Sequence, residues 1–101
     1  MNGVFRQIRM NKWREDARPE QVREALDALS RLPDLIPEIR SWYQAETVAE
    51  GDDDFDMVLV VDFDDEDAFN RYLENPEHLR VVRELILPIR GPSVRIRCEA
   101  P

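Results

Sequence analysis

The most strongly apolar segment of the chain is FDMVLVVDF, which runs from Phe55 to Phe63. It is short, rich in valine and almost continuously apolar between its aspartates, which is typical of a β-strand buried on both faces of a sheet. A polar turn is predicted before it over residues 50–54 (EGDDD), and Asp64 is predicted to cap a helix after it. The segment is therefore expected to be a central strand.

The segments before this strand predict a strand, a helix and a second strand. Apolar and polar side chains alternate over Val4–Trp13, as in a strand with two different faces. Apolar residues then recur at helical spacing over Glu20–Leu32, and Pro33 is predicted to end that helix. A second strand is predicted over Ile39–Val48.

The segments after the central strand predict two helices and a last strand. Ala68–Leu73 carries an apolar helical stripe, and the tripeptide NPE at residues 75–77 reads as the cap and first turn of another helix. Pro88 is predicted to end that helix, and apolar residues alternate again over Val94–Cys98.

The predicted order of elements is β-α-β-β-α-(α)-β, which defines a ferredoxin-like α+β fold with a four-stranded antiparallel sheet. The whole chain, residues 1–101, is expected to form one domain. Helices in this arrangement cover one face of the sheet, so Val58 and Val60 on the other face need a different cover. A second copy of the chain would provide it, and we predict a homodimer that pairs through the sheet face.

Composition excludes several classes of function. The net charge of −8 repels phosphate backbones and anionic lipids, so we predict no nucleic-acid partner and no membrane partner. No signal peptide is visible, and a cytoplasmic location is expected. Because Cys98 is the single cysteine and His78 the single histidine, we predict no metal site of that type and no cofactor.

The acidic run around the central strand and the single cysteine are both expected to have no catalytic role. The acidic residues between Asp52 and Asp67 lack the ligand spacing of a calcium loop and predict a solvated rim, although weak Mg²⁺ or Ca²⁺ binding at Asp52 to Asp54 stays open. Cys98 shares its strand face with Val94 and Ile96, which favours an inert thiol.

Tyr72 and His78 are the candidate catalytic residues. Tyr72 belongs to the apolar stripe of its helix, and its hydroxyl therefore needs a partner inside the protein. His78 lies near the start of the next helix, where burial and the positive helix end favour the neutral imidazole. A neutral imidazole facing a phenol can act as a general acid/base pair. The alternative is that the two side chains only satisfy each other in the core.

The opening strand and helix, the strand at residues 55–63 and the spacing Tyr72-x-x-x-Pro76-x-His78 resemble the stress-responsive A/B-barrel (Dabb) domain family over essentially the whole chain. The resemblance implies two ferredoxin-like subunits that pair sheet to sheet as a dimeric α/β barrel. A plant polyketide cyclase of the family uses a tyrosine and a histidine at this motif for aldol condensation of a β-polyketide thioester. By that resemblance His78 would be the base and Tyr72 the hydrogen-bond donor.

Two main functions remain open on this basis. The first is a Dabb-like dimeric barrel of undetermined, stress-linked role with a cleft between sheet and helices for a small apolar or phenolic ligand. The second is a cofactor-independent enzyme, a polyketide cyclase-like aldolase or lyase or a monooxygenase; a module that only dimerises is a third. From strand parity, the predicted ligand-binding residues of the cleft are Ile8, Met10, Leu26, Trp42, Met57, Leu59, Val94 and Ile96.

Overall fold

The strands and helices follow one another in the predicted order in a computed structural model that describes residues 3–48 and 54–101. Most of the predicted polar turn at 50–54 therefore lies outside the described residues. The elements are β1 (Val4–Trp13), α1 (Pro19–Leu35), β2 (Ile39–Glu46), β3 (Met57–Phe63), α2 (Glu66–Glu74), α3 (Pro76–Val81), a π-helical turn (Val82–Ile86) and β4 (Arg90–Ala100).

The four strands form one antiparallel sheet in the order β2-β3-β1-β4. This confirms the predicted ferredoxin-like fold and places β3 in the interior of the sheet. On one face of β3, Val61 and Phe63 are fully buried under the helices. On the other face, Val58 and Val60 pair with apolar residues of β1 and lie on a side that no helix covers.

The helices and the inner face of the sheet enclose the core. α1 contributes Leu32, which is fully buried, and α2 contributes Phe69 and Tyr72. The Phe63 ring meets the Phe69 ring edge-on at 5.3 Å and the Tyr72 ring at 4.9 Å, both measured between centroids. Aromatic pairs at these distances add to the stabilisation from buried area, so α2 is held on β3 by a ring cluster.

β2 ends two residues before its predicted end, at Glu46, and β3 begins two residues after its predicted start, at Met57. Three further predicted boundaries are corrected by the structure. α1 continues through Pro33 to Leu35, because the missing proline N–H removes only one bond and the Ile36 N–H still reaches the Leu32 carbonyl at 2.9 Å. The cap of α2 is Asp65 rather than Asp64, since the Asp65 carboxylate accepts from the Ala68 N–H at 2.8 Å.

The third correction concerns β4, which begins at Arg90 rather than at Val94. Its register against β1 shifts between Asn11 and Trp13, opposite Gly91 and Pro92. A bulge on an edge strand tolerates a proline, because the missing N–H does not interrupt a regular ladder. The first four residues of β4, 90–93, thus belong to the sheet although they precede the alternating segment Val94–Cys98.

A break between α2 and α3 is made by one side chain and one backbone group of Asn75. Its N–H donates to the Tyr72 carbonyl at 3.1 Å, and its side-chain oxygen accepts from the Glu77 N–H at 2.8 Å. The predicted cap at residues 75–77 is confirmed. α3 then loosens into the π-helical turn, which closes with the Leu87 N–H donating to the Val82 carbonyl at 2.9 Å. Within the described ranges, no helix has the length and apolar character that a membrane span requires.

Two leucines on α1 provide a matched test of this packing. Leu32→Ala is expected to lower the free energy of unfolding by about 2–5 kcal/mol, because it removes a fully buried side chain and leaves a cavity. Leu35→Ala, at a side chain that is 50% exposed, is expected to cost less than about 0.5 kcal/mol. Urea unfolding at one protein concentration measures both, and equal losses would contradict the described orientation of α1.

Candidate functional site

A cavity of about 130 Å³ lies between the helices and the sheet and is bounded by β1, β3 and β4 below and by α2, α3 and the π-helical turn above. Its apolar lining consists of Leu29, Met57, Leu59, Leu73, Val82 and Ile86. Its polar lining consists of Gln7, Arg9, Asn11, Tyr72, His78, Arg90, Arg95 and Arg97. The volume is close to that of cavities that hold a single aromatic ring.

Tyr72 presents its hydroxyl to this cavity. The side chain is 2% exposed, and its ring is fixed against Phe63. Over residues 3–48 and 54–101, no side chain or backbone group hydrogen-bonds to this hydroxyl, yet every fully buried side-chain polar atom there has a partner. The oxygen must therefore open onto the cavity. Burial raises the pKa of Tyr72 well above its ordinary value, so the phenol stays protonated and can donate.

His78 lies beside Tyr72 because the break at Asn75 turns the chain back over α2. The two ring centroids are 4.2 Å apart. His78 Nδ1 lies 3.3 Å from the Leu73 carbonyl oxygen, which can only accept, so Nδ1 carries the proton and Nε2 of the neutral ring keeps its lone pair. The described contact between the two side chains is thus ring against ring, with the histidine hydrogen bond directed to the backbone.

The environment keeps this imidazole neutral. Burial lowers the pKa of His78 most, and the charge of Arg9 lowers it further, while the bond to the Leu73 carbonyl opposes both effects. The predicted effect of burial agrees with this direction. A protonated phenol and a neutral imidazole therefore share one cavity wall, which is the arrangement that a hydrogen-bond donor and a base require.

Arginines form the other polar wall of the cavity, and we call Arg9, Arg90, Arg95 and Arg97 the arginine cluster. Arg9 donates to the Ser93 hydroxyl at 3.5 Å, and Arg97 donates to the Gln7 side-chain oxygen at 3.0 Å. The Arg97 guanidinium also lies over the Phe69 ring, 4.7 Å from its centroid. Burial lowers the pKa of Arg9, and the charges of Arg90 and Arg95 add to the effect.

Two of the predicted ligand-binding residues, Met57 and Leu59, line the cavity. Leu26 and Trp42 face the helix side as predicted but lie near β2, away from the cavity. There the Trp42 indole N–H donates to the Gln44 side chain at 3.0 Å, and Gln44 donates to the Leu26 carbonyl at 3.1 Å. These two residues brace the core beside the site without reaching it.

The placement of the other four predicted lining residues was wrong. The register sets Ile8 opposite both Val60 and Ile96, and it sets Met10 opposite Val94, all on the sheet face that points away from the helices. The prediction assumed that the apolar face of β1 and β4 turns toward the helices. In this fold the apolar face of β1 and β4 lies on the outer side of the sheet, beside Val58 and Val60. Cys98 shares this outer face.

Sequence reasoning missed the polar side of the cavity. Gln7 and Asn11 are buried although they are polar, and Arg9 lies between them on the same face of β1. One signal was available. Polar residues at alternate positions of an interior strand indicate a face that lines a polar site and is not packed as hydrophobic core. Arg95 and Arg97 continue that face on β4.

Other candidate sites are weaker. A larger open groove of about 910 Å³ lies at the bulge end of β4, beside Trp13 and Pro92, and its charged residues Arg14 and Asp16 pair with each other at 3.0 Å. Over the described ranges, no three acidic, histidine or cysteine side chains converge as metal ligands. Asp52 and Asp53, named above for weak cation binding, lie outside the described residues.

Comparison with known proteins supports the fold independently. No curated protein sequence matches the chain. A solved structure from Thermobifida fusca YX, described as a dimeric ferredoxin-like protein of unknown function, is 28% identical, with a TM-score of 0.86 over 100% of this chain and 93% of its own. A hydroxynitrile lyase from Passiflora edulis is 16% identical, with a TM-score of 0.87 over 100% of this chain and 96% of its own.

A Dabb family protein from Mesorhizobium loti with a ferredoxin-like fold is 18% identical, with a TM-score of 0.79 over 95% of each chain. The sequence profile of one family, the Stress responsive A/B Barrel Domain or Dabb, spans residues 5–96, which is nearly the entire length. The chain therefore belongs to the Dabb family.

Proposed function

We propose that this protein acts in the cytoplasm as a homodimeric Dabb protein that binds a small ligand in the cavity beside Tyr72 and His78. The observation that carries the proposal is the Tyr72 hydroxyl, which opens onto the cavity without a partner in the described part of the chain. Because this oxygen opens onto the cavity, it can donate to an acceptor on a ligand placed there. One such hydrogen bond contributes about 0.5–1.5 kcal/mol.

The homodimer is supported by the outer face of the sheet. Large apolar side chains there are widely exposed: Met10 to 37%, Tyr43 to 60%, Val94 to 48% and Ile96 to 56%. A continuous apolar face of this kind is typical of an interface. The related structure from Thermobifida fusca YX is described as dimeric, and a face that pairs with its own copy is the common geometry of a twofold dimer.

Ile96→Arg is expected to convert the dimer to a monomer, because a charge would be placed at the middle of the apolar outer face. The matched control is Leu87→Arg, which makes the same change at a leucine that is 48% exposed just after the π-helical turn. Light scattering at micromolar concentration measures the mass of both, and circular dichroism checks their folding. A monomeric wild type, or an Ile96→Arg protein that stays dimeric, would rule out this interface.

A second candidate function is proton-transfer catalysis without a cofactor. The specific observation is that the proton on His78 Nδ1 is held by the Leu73 carbonyl, which leaves Nε2 as an available base in a ring kept neutral by burial. Such a base could remove a proton from a carbon beside a carbonyl, and the Tyr72 hydroxyl could hydrogen-bond to the oxygen where negative charge develops. An aldolase- or cyclase-type condensation begins with a step of this type.

The single histidine makes both candidates testable by proton NMR. We expect the His78 ring signals to titrate with a pKa below the ordinary 6.5, and to shift when resorcinol, a neutral phenol, is added. Because the folded-state pKa is lowered, the neutral ring contributes stability above pH 6.5 that is lost as the pH falls toward the folded-state pKa. Tyr72→Phe is expected to weaken resorcinol binding about 2- to 12-fold, the value of one hydrogen bond.

Tyr43→Phe is the control for that loss, because it removes the same hydroxyl from the opposite face of the sheet, where Tyr43 does not line the cavity. If His78 neither titrates between pH 5 and pH 8 nor responds to resorcinol, the histidine is sealed in the core and both functions of the cavity are excluded. If resorcinol binds but no carbon acid exchanges protons faster than with His78→Ala, the binding function stands and the catalytic one does not.

A further inference from the structure

The cavity is positively charged in a protein whose total charge is −8. Its charged lining is the arginine cluster, and among residues 3–48 and 54–101 neither an aspartate nor a glutamate contributes to the lining. Arg9 and Arg95 stand directly opposite each other on β1 and β4, so their side chains leave the sheet on the same face. Like charges on directly opposite residues repel each other, and the charges of Arg90 and Arg95 accordingly lower the pKa of Arg9.

Carboxylates are abundant elsewhere and pair with other arginines. Seven arginine–carboxylate pairs form in the described part of the chain, the shortest at 2.7 Å between Arg6 and Asp62. Over residues 3–48 and 54–101, none of those pairs includes a member of the arginine cluster. The arginine cluster thus has no carboxylate partner in the described part of the chain, and the hydrogen bonds of Arg9 and Arg97 go to the neutral side chains of Ser93 and Gln7.

The Tyr72 hydroxyl is a second and independent observation. Its oxygen opens onto the same cavity and has no hydrogen-bond partner over the described ranges, and burial of the ring raises its pKa so that it stays a protonated donor. Guanidinium groups are also donors only. Among the described residues the polar lining thus combines positive charge with donors and has no carboxylate, and its acceptors on Gln7, Asn11 and His78 are neutral. A negatively charged acceptor is the group that complements it.

The opposite wall defines the rest of the ligand. Leu29, Met57 and Leu59 face the cavity with apolar side chains, and the volume of about 130 Å³ fits one ring or a short chain. A free inorganic anion would leave this wall without a contact. The ligand must combine a compact apolar body with one oxyanion.

We propose that the cavity binds a small organic acid whose carboxylate or phosphate is held by the arginine cluster and the Tyr72 hydroxyl, with its apolar body against Met57 and Leu59. This rests on the proposed ligand site and names its ligand class. Charge-assisted bonds from guanidinium to an oxyanion are shorter and stronger than neutral ones, so the acid group supplies most of the affinity.

The test compares benzoate, phenyl phosphate and benzamide, which share a ring and differ in charge, by the shift of the His78 signals on titration. Benzoate or phenyl phosphate is expected to bind at least 10-fold more tightly than benzamide, and added salt is expected to weaken only the anions. Whichever anion binds more tightly identifies carboxylate or phosphate as the preferred group.

Arg9→Gln and Arg95→Gln each remove one charge from the cluster and are expected to weaken binding of the anion about 10-fold while leaving benzamide binding unchanged. The exposed Arg95 tolerates this change more easily than the half-buried Arg9, so its variant keeps the test valid if Arg9→Gln does not fold. Arg31→Gln removes the same charge from an exposed position on α1 and should have no effect.

Equal affinity for benzoate and benzamide, with no effect of Arg95→Gln, would overturn the anion proposal and leave the ligand site intact. Failure of all three probes and of resorcinol would overturn the ligand site itself. If Arg95→Gln weakens the dimer in light scattering and leaves benzoate binding unchanged, the cluster pairs with the partner subunit and the proposal is wrong.

Discussion

β3 is an interior strand that needs apolar cover on both faces, and the chain has helices for one face only. This constraint divides the sheet into two surfaces with different chemistry. The helix side of β3 is closed by Phe63, Val61 and the rings of α2. The other side needs a second layer, so β1 and β4 turn their apolar residues there. Their polar residues are left to face the helices, and that is where the cavity forms.

The site follows from the same division. A polar strand face beneath a helix layer cannot be packed like a core, because Gln7, Asn11 and Arg9 must keep hydrogen-bond partners. The space between that face and the helices remains partly open. Tyr72 and His78 reach it from above because the chain breaks at Asn75, and the Leu73 carbonyl fixes which imidazole nitrogen is free. The phenol, the imidazole and the cationic wall of the proposed site are consequences of one topology.

The fold could be predicted from the sequence because its signals are local. The apolar run at residues 55–63, the cap at 75–77 and the alternating strands each report their own conformation, and their order defines the topology. The pairing of Tyr72 with His78 could be predicted because both belong to adjacent helical stripes. The lining of the cavity could not be predicted. Alternation along a strand separates its two faces but does not tell which of them meets the helices, since both faces of this sheet need a cover. Ile8 and Ile96 are predicted to line the cleft and lie on the outer face of the sheet, whereas Arg9 and Arg97, which are not predicted there, line the cavity.

Because Val82 and Ile86 line the upper wall of the cavity, the shape of that wall depends on the number of residues in the π-helical turn Val82–Ile86. Such a turn holds one residue more than the α-helix would need, and each residue advances an α-helix by about 100°. A deletion of one residue here would let the turn close as a regular helix, rotating Val82 and Ile86 relative to each other and moving one of them off the cavity. Relatives that differ in length at this turn should therefore differ in the shape of this cavity, even where every wall residue is the same.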